Sequence, residues 1–438
     1  MKIMVVGSGG REHAITKALA RSPQKPVLHA FMSNLNPGMM ALCESTTPGK
    51  MKDVPAICAD ALAKKVDLVV IGPEEPLMHG LADELTRRGI PCVGPQKKLA
   101  EMEGNKLVLR SIVDKYFPEA NPDYRLCRSA AEVASALHEL GRVAVKPLGL
   151  TSGKGVRVMG TQLPTAADAE AYANQIIENN GEVLLEELLE GEEFSQMVFT
   201  DGVRVVPMPL AQDAKFAFEG DTGLMTGGMG SYTMADHRMP FVSAEARQQA
   251  CQYVEKLIAS VEQEYGMRYH GVLYGQFMLT RKGPRFVEVN VRYGDPESIN
   301  VLSVLKTDAV DVFTGMVCGL PEKIEFERKA SVCKYLVPEG YPENPRKDVV
   351  VRFDQRVVDQ AGVDVIYAGA EPQGDACRAT GSRFAAVLAV RDELAAAENA
   401  VENAITQLGL SGVYHRRDIA TAELIQKRTA HMRKVLEG

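Results

Sequence analysis

A glycine-rich loop that carries two lysines stands between two short apolar runs in the first half of the sequence. The first run, residues 143–145, is followed by Lys146, and Gly153, Lys154 and Gly155 come just before the second run. Glycines let backbone N–H groups approach phosphate oxygens, and lysines neutralise phosphate charge. The stretch therefore predicts a β-hairpin whose tip covers a phosphate group, with a solvated flexible tip as the alternative. It is not a Walker loop, because Ser or Thr would have to follow Lys154.

Three side chains with oxygen atoms fall on two strands that are predicted to form one hairpin. Glu288 and Asn290 stand two residues apart in the strand at 285–292, and Gln276 lies in the strand at 272–279. Side chains alternate along a strand, so Glu288 and Asn290 point to the same face. Carboxylate and amide oxygens suit Mg²⁺, which shares its coordination with nucleotide phosphates. The pattern predicts a magnesium site, and a salt-bridged strand edge is the alternative that it leaves open.

The start of the sequence predicts a strand at 2–6, a tight turn at 7–10 and a helix at 11–21. This order opens an α/β unit, but a dinucleotide-binding turn would need glycine at position 12, where Glu12 stands. The acid expected about 20 residues further on is also missing, which argues against a nicotinamide cofactor. The turn can still offer helix N–H groups to a phosphate, with Arg11 beside it.

An apolar run at 66–71 has the pattern of a parallel strand that is buried on both faces. Glu74 follows this run, at the edge where open α/β sheets bind ligands, and is a candidate for sugar hydroxyls or else a solvated loop acid. A helix at 77–88 and a strand at 90–94 are expected to complete this first unit.

Acidic residues in the middle of the chain stand where predicted strands begin or end. A strand that starts at Val183 ends in Glu186 and Glu187, and Glu193 leads the next strand. Carboxylates at strand ends can accept hydrogen bonds from ribose hydroxyls, although most such glutamates are merely solvated. The segments at 212–215 and 220–230 together predict a long functional loop, because this region is too rich in glycine for a regular element.

The second half of the chain begins with an amphipathic helix at 244–265, whose apolar face is expected to lie in the core. Thr307 is expected to cap a helix that ends at Cys318. From residue 330 the pattern changes to β-strands, followed by a helix at 392–408.

Composition limits the classes of function. The 438 residues suit two to four domains, and a net charge of −7 argues against general binding to nucleic acid or to anionic membranes. Eight scattered cysteines predict reduced thiols of a cytoplasmic protein, because they form neither a zinc motif nor a disulfide framework. We find no signal-peptide pattern and no apolar run of membrane-spanning length.

Together these segments resemble those of ATP-grasp ligases. Within that family they are most similar to phosphoribosylamine–glycine ligases, the glycinamide ribonucleotide synthetases of purine synthesis. Nearly the whole chain takes part, through segments at 7–13, 72–74, 103–106, 146–155, 186–193, 212–213, 226–232, 288–297 and 417–419. The segments at 226–232 and 292–297 are more particular to the glycine ligases than the phosphate and metal motifs, which all ATP-grasp enzymes share.

The resemblance implies a multidomain fold of the α/β and α+β classes. An N-terminal parallel α/β domain would span residues 1–100, and an ATP-grasp domain would span 101–329, with a small lid at about 120–190. A β-rich C-terminal domain, acting as a cap, would span residues 330–438.

The resemblance also implies an activity: the ATP-dependent ligation of glycine to 5-phosphoribosylamine through a glycyl phosphate, in de novo purine synthesis. The cofactors would be ATP and Mg²⁺ or Mn²⁺, and the partners would be small molecules, with no nucleic acid and no membrane. A transient contact with the enzyme that supplies phosphoribosylamine is a further expectation.

Residue roles carried over from the resemblance fall into four groups. The contacts to the nucleotide would come from Lys106, Lys146, Gly153, Lys154, Gly155, Glu186, Glu187 and Glu193. The metal would be held by Gln276, Glu288 and Asn290. The two substrates would face Gly9, Gly10, Glu74, Asp213, Arg292, Asp295 and Arg383. The catalytic candidates are Lys146, Arg292 and Asp295.

Two departures leave the substrate contacts open. Many members of the family carry Asp where this chain has Leu148, and His-Lys-Arg where it has Ala-Lys-Phe at 214–216. Another ATP-grasp ligase of purine synthesis or a biotin carboxylase is therefore the alternative function. A nicotinamide oxidoreductase and a nucleotide-binding regulatory protein without turnover are alternatives from other classes.

Overall fold

Five parallel strands form the first sheet of the computed structural model, which describes residues 1–149 and 155–437. The elements are β1 (Lys2–Val6), α1 (Gly10–Ala20), β2 (Val27–Met32), α2 (Pro37–Leu42), β3 (Ser45–Pro48), α3 (Val54–Lys64), β4 (Leu68–Ile71), α4 (Glu74–Met78), α5 (Leu81–Arg87) and β5 (Cys92–Val93). The strand order is β3-β2-β1-β4-β5, so the order reverses at β1. Ligands of such sheets bind beyond the carboxyl ends of the strands at the reversal, where the turn after β1 and Glu74 after β4 lie.

The helix predicted at 77–88 is two helices, because the chain turns sharply between α4 and α5. Gly80 has φ +82 and starts α5 from a left-handed conformation, which glycine adopts without steric cost. Two further helices, α6 (Lys97–Gly104) and α7 (Lys106–Tyr116), follow this unit. Asn105 separates them, and its side-chain oxygen accepts a hydrogen bond from the backbone N–H of Leu107. Lys106 is therefore the first residue of α7.

A small antiparallel unit with its own hydrophobic core comes next. After a 3₁₀ turn (Pro118–Ala120), its elements are β6 (Tyr124–Cys127), α8 (Ala130–Leu140), β7 (Val143–Lys146), β8 (Arg157–Val158), α9 (Ala166–Asn180) and β9 (Val183–Glu187). The strand order is β6-β9-β7-β8, and the buried members of its core all lie between residues 127 and 185. We call this unit the lid. The predicted hairpin around Lys146 is confirmed, since Ala144 pairs with Val158.

The central part of the chain is built on a second antiparallel sheet. Its elements are β10 (Glu192–Thr200), β11 (Val205–Pro207), β12 (Gln212–Asp213), β13 (Phe216–Phe218), β14 (Thr222–Met225), β15 (Gly230–Thr233), α10 (Ala244–Tyr265), β16 (Gly271–Thr280), β17 (Gly283–Asn290), α11 (Glu297–Ser303) and α12 (Ala309–Cys318). The sheet has the order β11-β10-β16-β17. Helix α10 packs against it through the predicted apolar face, which is fully buried at Ala250, Val254, Leu257 and Val261.

Two local predictions in this part are wrong. The stretch at 220–230 is not a single loop, because β14 lies within it and pairs with β13 to form a separate two-stranded hairpin. Thr307 does not cap α12. The cap is Asp308, whose side chain accepts a hydrogen bond from the backbone N–H of Val310, while the hydroxyl of Thr307 accepts one from Glu325.

The C-terminal elements continue a sheet that begins in the central part. They are β18 (Ala330–Pro338), β19 (Val350–Val351), α13 (Gln355–Ala361), β20 (Asp364–Tyr367), β21 (Ala370–Gln373), β22 (Ala376–Ala379), β23 (Ala385–Arg391), α14 (Leu394–Leu408), β24 (Val413–Tyr414) and α15 (Ala422–Glu437). Strands β12 and β15 precede residue 330, yet the sheet runs β12-β15-β18-β23-β20. The predicted domain limit at 330 is thus crossed by backbone pairing, and the domain limits themselves stay a prediction.

The expected fold class is confirmed: a parallel α/β sheet, a central antiparallel body with a small lid, and a β-rich C-terminal part. The prediction missed α13, the β21–β22 hairpin and α15. Among the described residues, no helix is both long and apolar enough to cross a lipid bilayer.

The substitution Leu273→Ala tests the packing of β16, the strand that carries Gln276. Leu273 has no exposed surface, so the substitution should lower the free energy of unfolding by about 2–5 kcal/mol through lost burial and a residual cavity. Urea unfolding followed by circular dichroism measures the change, since the chain contains no tryptophan. Leu62→Ala is the matched control: Leu62 is 46% exposed, and the change should stay within about 0.5 kcal/mol. Equal losses in the two variants would contradict the described core.

Candidate active site

A cavity of about 420 Å³ opens between the lid, the central sheet and the first sheet. It collects most of the residues that the sequence placed in a site. The predicted residues that line it are Glu74, Lys106, Lys146, Glu186, Glu187, Glu193, Asp213, Gln276, Glu288, Asn290, Arg292, Asp295 and Arg383. They come from positions as far apart as 74 and 383, so the fold and not the local sequence brings them together.

The remaining predicted residues do not line this cavity, or lie outside the described part of the chain. Gly153 and Lys154 fall in the stretch that is not described. The carbonyl of Gly155 accepts a hydrogen bond from the hydroxyl of Tyr172, 2.9 Å away. Gly9 and Gly10 start helix α1 nearby, but they are not part of the cavity wall.

The turn at Gly9 and Gly10 makes hydrogen-bonding and packing contacts within the protein. The N–H of Gly9, a predicted phosphate donor, donates instead to the Glu12 carboxylate at 2.6 Å. A Cβ on Gly10 would lie 2.1 Å from the Tyr335 hydroxyl, so this glycine allows α1 to approach β18. The Glu12 that made a dinucleotide site improbable is thus the residue that closes the turn.

A buried carboxylate, Glu186 of β9, is the centre of a cluster of charges on the lid side of the cavity. Arg110 of α7 donates two hydrogen bonds to it, from Nε at 2.8 Å and from Nη2 at 2.9 Å. Lys146 Nζ donates a third at 2.6 Å. Burial alone would raise the pKa of Glu186, but the charges of Arg110 and Lys146 outweigh it and lower the pKa to about 2. Both carboxylate oxygens are therefore engaged by cations of the protein.

Lys106 lies beside this cluster at the start of α7. Its Nζ donates to the carbonyls of Pro147 and Gly149, each at 3.0 Å, which ties α7 to the loop that follows β7. Burial lowers the pKa of the Lys106 ammonium, and the nearby Glu288 carboxylate opposes that effect. The backbone N–H of Lys106 donates to the carbonyl of Leu148, one of the two departures from the resemblance, whose own side chain is half-buried.

The predicted metal-binding side chains are neighbours on one sheet. Gln276 of β16 is the cross-strand partner of Glu288 of β17, and the amide of Asn290 donates to Glu288 at 3.4 Å. Burial acts to raise the pKa of Glu288, but the ammonium groups of Lys215, Lys146 and Lys106 outweigh it and lower the pKa. Glu288 is thus held as an ionised carboxylate although its side chain is half-buried.

Gln276 gives this cluster an unused ligand atom. Its Nε2 donates to Glu193 at 2.5 Å, while its buried Oε1 has no hydrogen-bond partner. A buried amide oxygen without a partner costs free energy unless a bound group satisfies it. Among the described residues, no set of three or more His, Cys, Asp or Glu could hold a metal. A cation here would therefore bind one carboxylate and amide oxygens, a donor set that fits Mg²⁺ or Mn²⁺.

A third lysine, Lys215, stands opposite the metal-binding side chains. Its Nζ lies 3.4 Å from Glu193 Oε2, and Asp213 is close by. Burial alone would lower the pKa of this lysine, but the charges of Glu193 and Asp213 outweigh it and raise the pKa. Burial raises the pKa of the Asp213 carboxyl to about 7, and Lys215 only partly opposes this.

Arg292 connects the predicted metal ligand Asn290 to two further carboxylates, Glu103 and Glu74. Its Nη2 donates to Glu103 at 2.7 Å and to the Asn290 oxygen at 3.1 Å, while its Nε lies 3.4 Å from Glu74. Burial raises the pKa of Glu103 to about 7, against the charge of Arg292. The other oxygen of Glu103 accepts from the backbone N–H of Val291 at 2.8 Å, which fixes the end of β17.

Asp295 and Arg383 form the far end of the cavity. Arg383 Nη2 donates to Asp295 at 3.0 Å, and the Tyr335 hydroxyl donates to its other oxygen at 2.6 Å. Arg383 also donates to the carbonyls of Gly227 and Gly228, at 2.7 and 3.1 Å. Arg383, from the C-terminal part of the chain, thus completes this end of the cavity, where its partners Gly227, Gly228 and Asp295 belong to the central part.

Sequence reasoning missed several charged residues of the site: Arg11 as a lining residue, Glu103, Arg110, Lys215 and Glu297. Arg110 had a usable signal, because it lies four residues after Lys106 and shares its helix face. Lys215 lay inside a stretch that was treated as a loop. Glu297 accepts hydrogen bonds from Ser195 and Tyr274 at 3.0 and 2.8 Å, a network between distant segments that no local pattern reveals.

The charges of the cavity constrain its ligand. Its described lining holds seven Lys or Arg and nine Asp or Glu side chains. Such a wall carries no cationic excess for a nucleotide triphosphate, even if the two raised carboxyls are neutral. A bound metal cation would supply the missing positive charge next to Glu288.

Comparison with known proteins places the whole chain in one family. Residues 1–103, 104–298 and 331–422 match the N, ATP-grasp (A) and C domains of phosphoribosylglycinamide synthetase. A phosphoribosylamine–glycine ligase of Methanosarcina barkeri is 43% identical over 439 residues, covering 99% of this chain and 100% of the relative.

Solved structures show the same fold. The phosphoribosylamine–glycine ligase of Thermotoga maritima superposes with a TM-score of 0.80 at 24% identity, covering 96% of this chain and 100% of that one. An ATP-analogue complex of biotin carboxylase from Campylobacter jejuni gives a TM-score of 0.72 at 13% identity, covering 99% and 98% of the chains. The ATP-grasp fold expected from the resemblance is thereby confirmed, and with it the use of ATP.

The raised pKa of Asp213 predicts a pH dependence of stability. An acid with a pKa of about 7 in the folded chain and 3.8 as its ordinary value takes up a proton on folding between pH 4 and 7. Its contribution is therefore fully present below pH 4 and is lost as the pH rises to 7. Relative to Asp213→Asn, the wild type should lose stability over that window, measured as the urea midpoint at successive pH values. The exposed Asp375 provides the control Asp375→Asn. A constant difference between the wild type and Asp213→Asn would show that Asp213 ionises normally.

Proposed function

The chain belongs to the phosphoribosylglycinamide synthetase family, and from that premise we propose how its cavity joins glycine to 5-phosphoribosylamine. The products are glycinamide ribonucleotide, ADP and phosphate, in the de novo synthesis of purines. One observation carries the proposal: three lysines, the hairpin with Gln276, Glu288 and Asn290, and an arginine–carboxylate group line a single cavity.

The chemistry follows from the low reactivity of a carboxylate towards an amine. A glycine carboxylate oxygen attacks the γ-phosphorus of ATP and ADP leaves, which gives glycyl phosphate. The amine of phosphoribosylamine then attacks the glycyl carbonyl carbon, the C–N bond forms, and phosphate leaves with the electrons of the broken C–O bond. The nitrogen loses one proton to the medium. No side chain forms a covalent bond, so the protein contributes position and charge.

Three lysines supply positive charge around the transferring phosphoryl group. Lys106, Lys146 and Lys215 line the same cavity as Glu288, and the charge of each lowers the pKa of that carboxyl. Donors that are fixed in a water-poor cavity stabilise developing phosphoryl charge more than mobile water does. In the free protein Lys146 is held by Glu186 and Lys106 by two backbone carbonyls, so both are already in place. Lys154 and Gly153 keep their predicted role at the phosphates as part of the proposal.

The metal would be held by Gln276, Glu288 and Asn290. When bound, Mg²⁺ or Mn²⁺ neutralises the charge of the phosphates and orients them. The chain prepares the place by keeping Glu288 ionised and by leaving Gln276 Oε1 without a partner. The Asn290 oxygen accepts from Arg292, and a carbonyl oxygen has a second lone pair for a cation.

The base and ribose would lie against the apolar residues between the lid and the central sheet. These include Leu109, Val156, Val158, Leu188, Leu189, Met278 and Val287. Glu187 and Glu193 are the proposed contacts to sugar hydroxyls. Glu186 would act differently from Glu187, since both its oxygens are engaged, and it would keep Lys146 and Arg110 in position.

The amine and glycine would bind at the other end of the cavity. Arg292, Asp295 and Arg383 are the proposed contacts to glycine and to phosphoribosylamine, with Glu74 and Asp213 beside them. Gly9 and Gly10 retain a proposed role near the substrate, since a Cβ on Gly9 would lie 3.8 Å from Asp295. The departures at Leu148 and at 214–216 leave the individual contacts to be assigned by experiment.

The proposal includes a cytoplasmic location, in keeping with eight cysteines that are all free thiols. A transient contact with the enzyme that supplies phosphoribosylamine remains a prediction. Another ATP-grasp carboxylate–amine ligase of purine synthesis is the competing function, because an N5-carboxyaminoimidazole ribonucleotide synthetase has the same fold.

Phosphate release from ATP tests the proposed reaction directly. With Mg²⁺ present, release should require both glycine and phosphoribosylamine generated in situ from ribose 5-phosphate and ammonia. Glycinamide ribonucleotide should form in equal amount, measured by mass spectrometry. A panel of other carboxylates is the control. Release that depends on another acid would leave the ATP-grasp assignment standing and would overturn the choice of glycine.

The substitution Lys146→Ala tests the phosphate assignment. It should lower kcat by roughly 10²–10³-fold, since it removes a fixed charge from the transferring phosphoryl group. Folding should persist, because Arg110 still pairs with Glu186 through two hydrogen bonds. Lys115→Ala is the control, as Lys115 is 59% exposed in its surface pair with Glu264. Near-normal turnover by Lys146→Ala would refute the assignment.

A further inference from the structure

The β13–β14 hairpin forms part of the cavity wall, yet it belongs to no larger sheet. It lies between Lys215, which directly precedes β13, and Thr226, which directly follows β14. Both of these residues line the cavity. The N–H and hydroxyl of Thr226 donate to the carbonyl of Lys215 at 2.7 and 2.8 Å, so the two ends are joined. A two-stranded hairpin alone is marginally stable in water, so other groups must fix this one.

Arg416, in the loop between β24 and α15, holds the hairpin from the C-terminal part of the chain. Its side chain has no exposed surface. Nη1 donates to the carbonyl of Phe216 and to Asp221, each at 3.0 Å. Nε and Nη2 donate to Asp418 at 2.9 and 2.7 Å. One guanidinium thus joins the first strand of the hairpin, its turn and its own loop.

The turn of the hairpin is held at every residue. Asp418 accepts from the N–H of Gly220 at 3.0 Å, and Glu219 accepts from the N–H of Arg417 at 3.1 Å. Asp221 has φ +61, a left-handed conformation that is uncommon outside glycine. The turn therefore takes its shape in the presence of these contacts.

The loop that carries Arg416 is itself fixed to the C-terminal sheet. Lys334 of β18 is completely buried and donates to the carbonyl of Arg417 at 2.8 Å. The same ammonium donates to Glu398 and Glu402 of α14, at 2.8 and 3.1 Å. A continuous set of buried polar contacts therefore runs from α14 to the wall of the cavity.

From these contacts we infer that Arg416, together with Asp418, is a positioning residue for the ligase reaction. It acts through the β13–β14 hairpin and sets the position of Lys215 opposite Glu193 and Glu288. This inference rests on the proposed function, since the step that it serves is phosphoryl transfer. Arg416 itself touches neither the cavity nor a reacting atom.

The first test is a double-mutant cycle on kcat between Arg416 and Lys215. Arg416→Met should lower kcat by about 10²-fold, as expected for a displaced catalytic-site group, with a much smaller change in KM for ATP. Lys215→Ala should also lower kcat. In the Lys215→Ala background, Arg416→Met should have little further effect, because its action passes through Lys215. If the two reductions in kcat multiply in the double variant, Arg416 acts independently of Lys215 and the inference fails.

A milder variant protects the test against a folding defect. Asp221→Asn removes the charge that Arg416 binds, at a residue that is 28% exposed and whose left-handed backbone suits asparagine. Asp221→Asn should lower kcat, and it should have little further effect in the Lys215→Ala background. Its urea midpoint should equal that of the wild type. Arg346→Ala is the matched control, since Arg346 lies in the same part of the chain and pairs only at the surface with Glu339 and Asp348. Its kcat should equal that of the wild type.

A second readout does not depend on turnover. Hydrogen exchange of the amides at 216–225 should accelerate in Arg416→Met and in Asp221→Asn, while exchange in β16 stays slow. A second outcome is that the variants exchange faster than the wild type at 216–225 while the wild type itself has no ligase activity. That result would refute the proposed function and leave the positioning of the hairpin intact. Unchanged exchange at 216–225 would overturn the inference, whatever the activity.

Discussion

The buried carboxylate of Glu186 is the contact on which the rest of the site depends. An ionised carboxylate cannot stay buried unless cations and hydrogen bonds compensate it, and here the partners come from different elements. Arg110 belongs to α7, Lys146 to β7, and Glu186 is the penultimate residue of β9. Arg110 also donates to the carbonyl of Val287 in β17, at 2.8 Å. One buried ion cluster therefore connects the lid to the β16–β17 hairpin of the central sheet.

The same principle extends through the cavity, whose charges are paired with one another before any substrate arrives. Arg292 pairs with Glu103 and Asp295 pairs with Arg383. Such pairing keeps long side chains in fixed places, so less conformational entropy has to be lost when a ligand binds. A bound ligand must also replace some of these ion pairs with its own contacts. Each new contact must then compensate the buried charge as well as the old partner did.

The sequence could predict those parts of the site that depend on local periodicity. The two-residue spacing of Glu288 and Asn290 and the short turn before them placed Gln276 opposite Glu288 correctly. The apolar run at 66–71 predicted a buried parallel strand, and β4 is that strand. Predictions failed where long-range contacts decide the structure. The glycine-rich stretch at 220–230 forms a strand because Arg416 and Asp418 hold its turn, and no local pattern carries that information.

The lid differs from the rest of the fold in where its core residues lie along the chain. All of its buried core members fall between residues 127 and 185, whereas β12 and β15 need β18, more than 95 residues later, to complete their sheet. During synthesis from the N-terminus, the lid can therefore pack as soon as its own segment has left the ribosome. Strand β15 pairs with β12 on one side, but its other side stays unpaired until residues 331–334 of β18 have emerged. Vectorial synthesis thus leaves this chain with a transient exposed sheet edge, the kind of surface that chaperones bind.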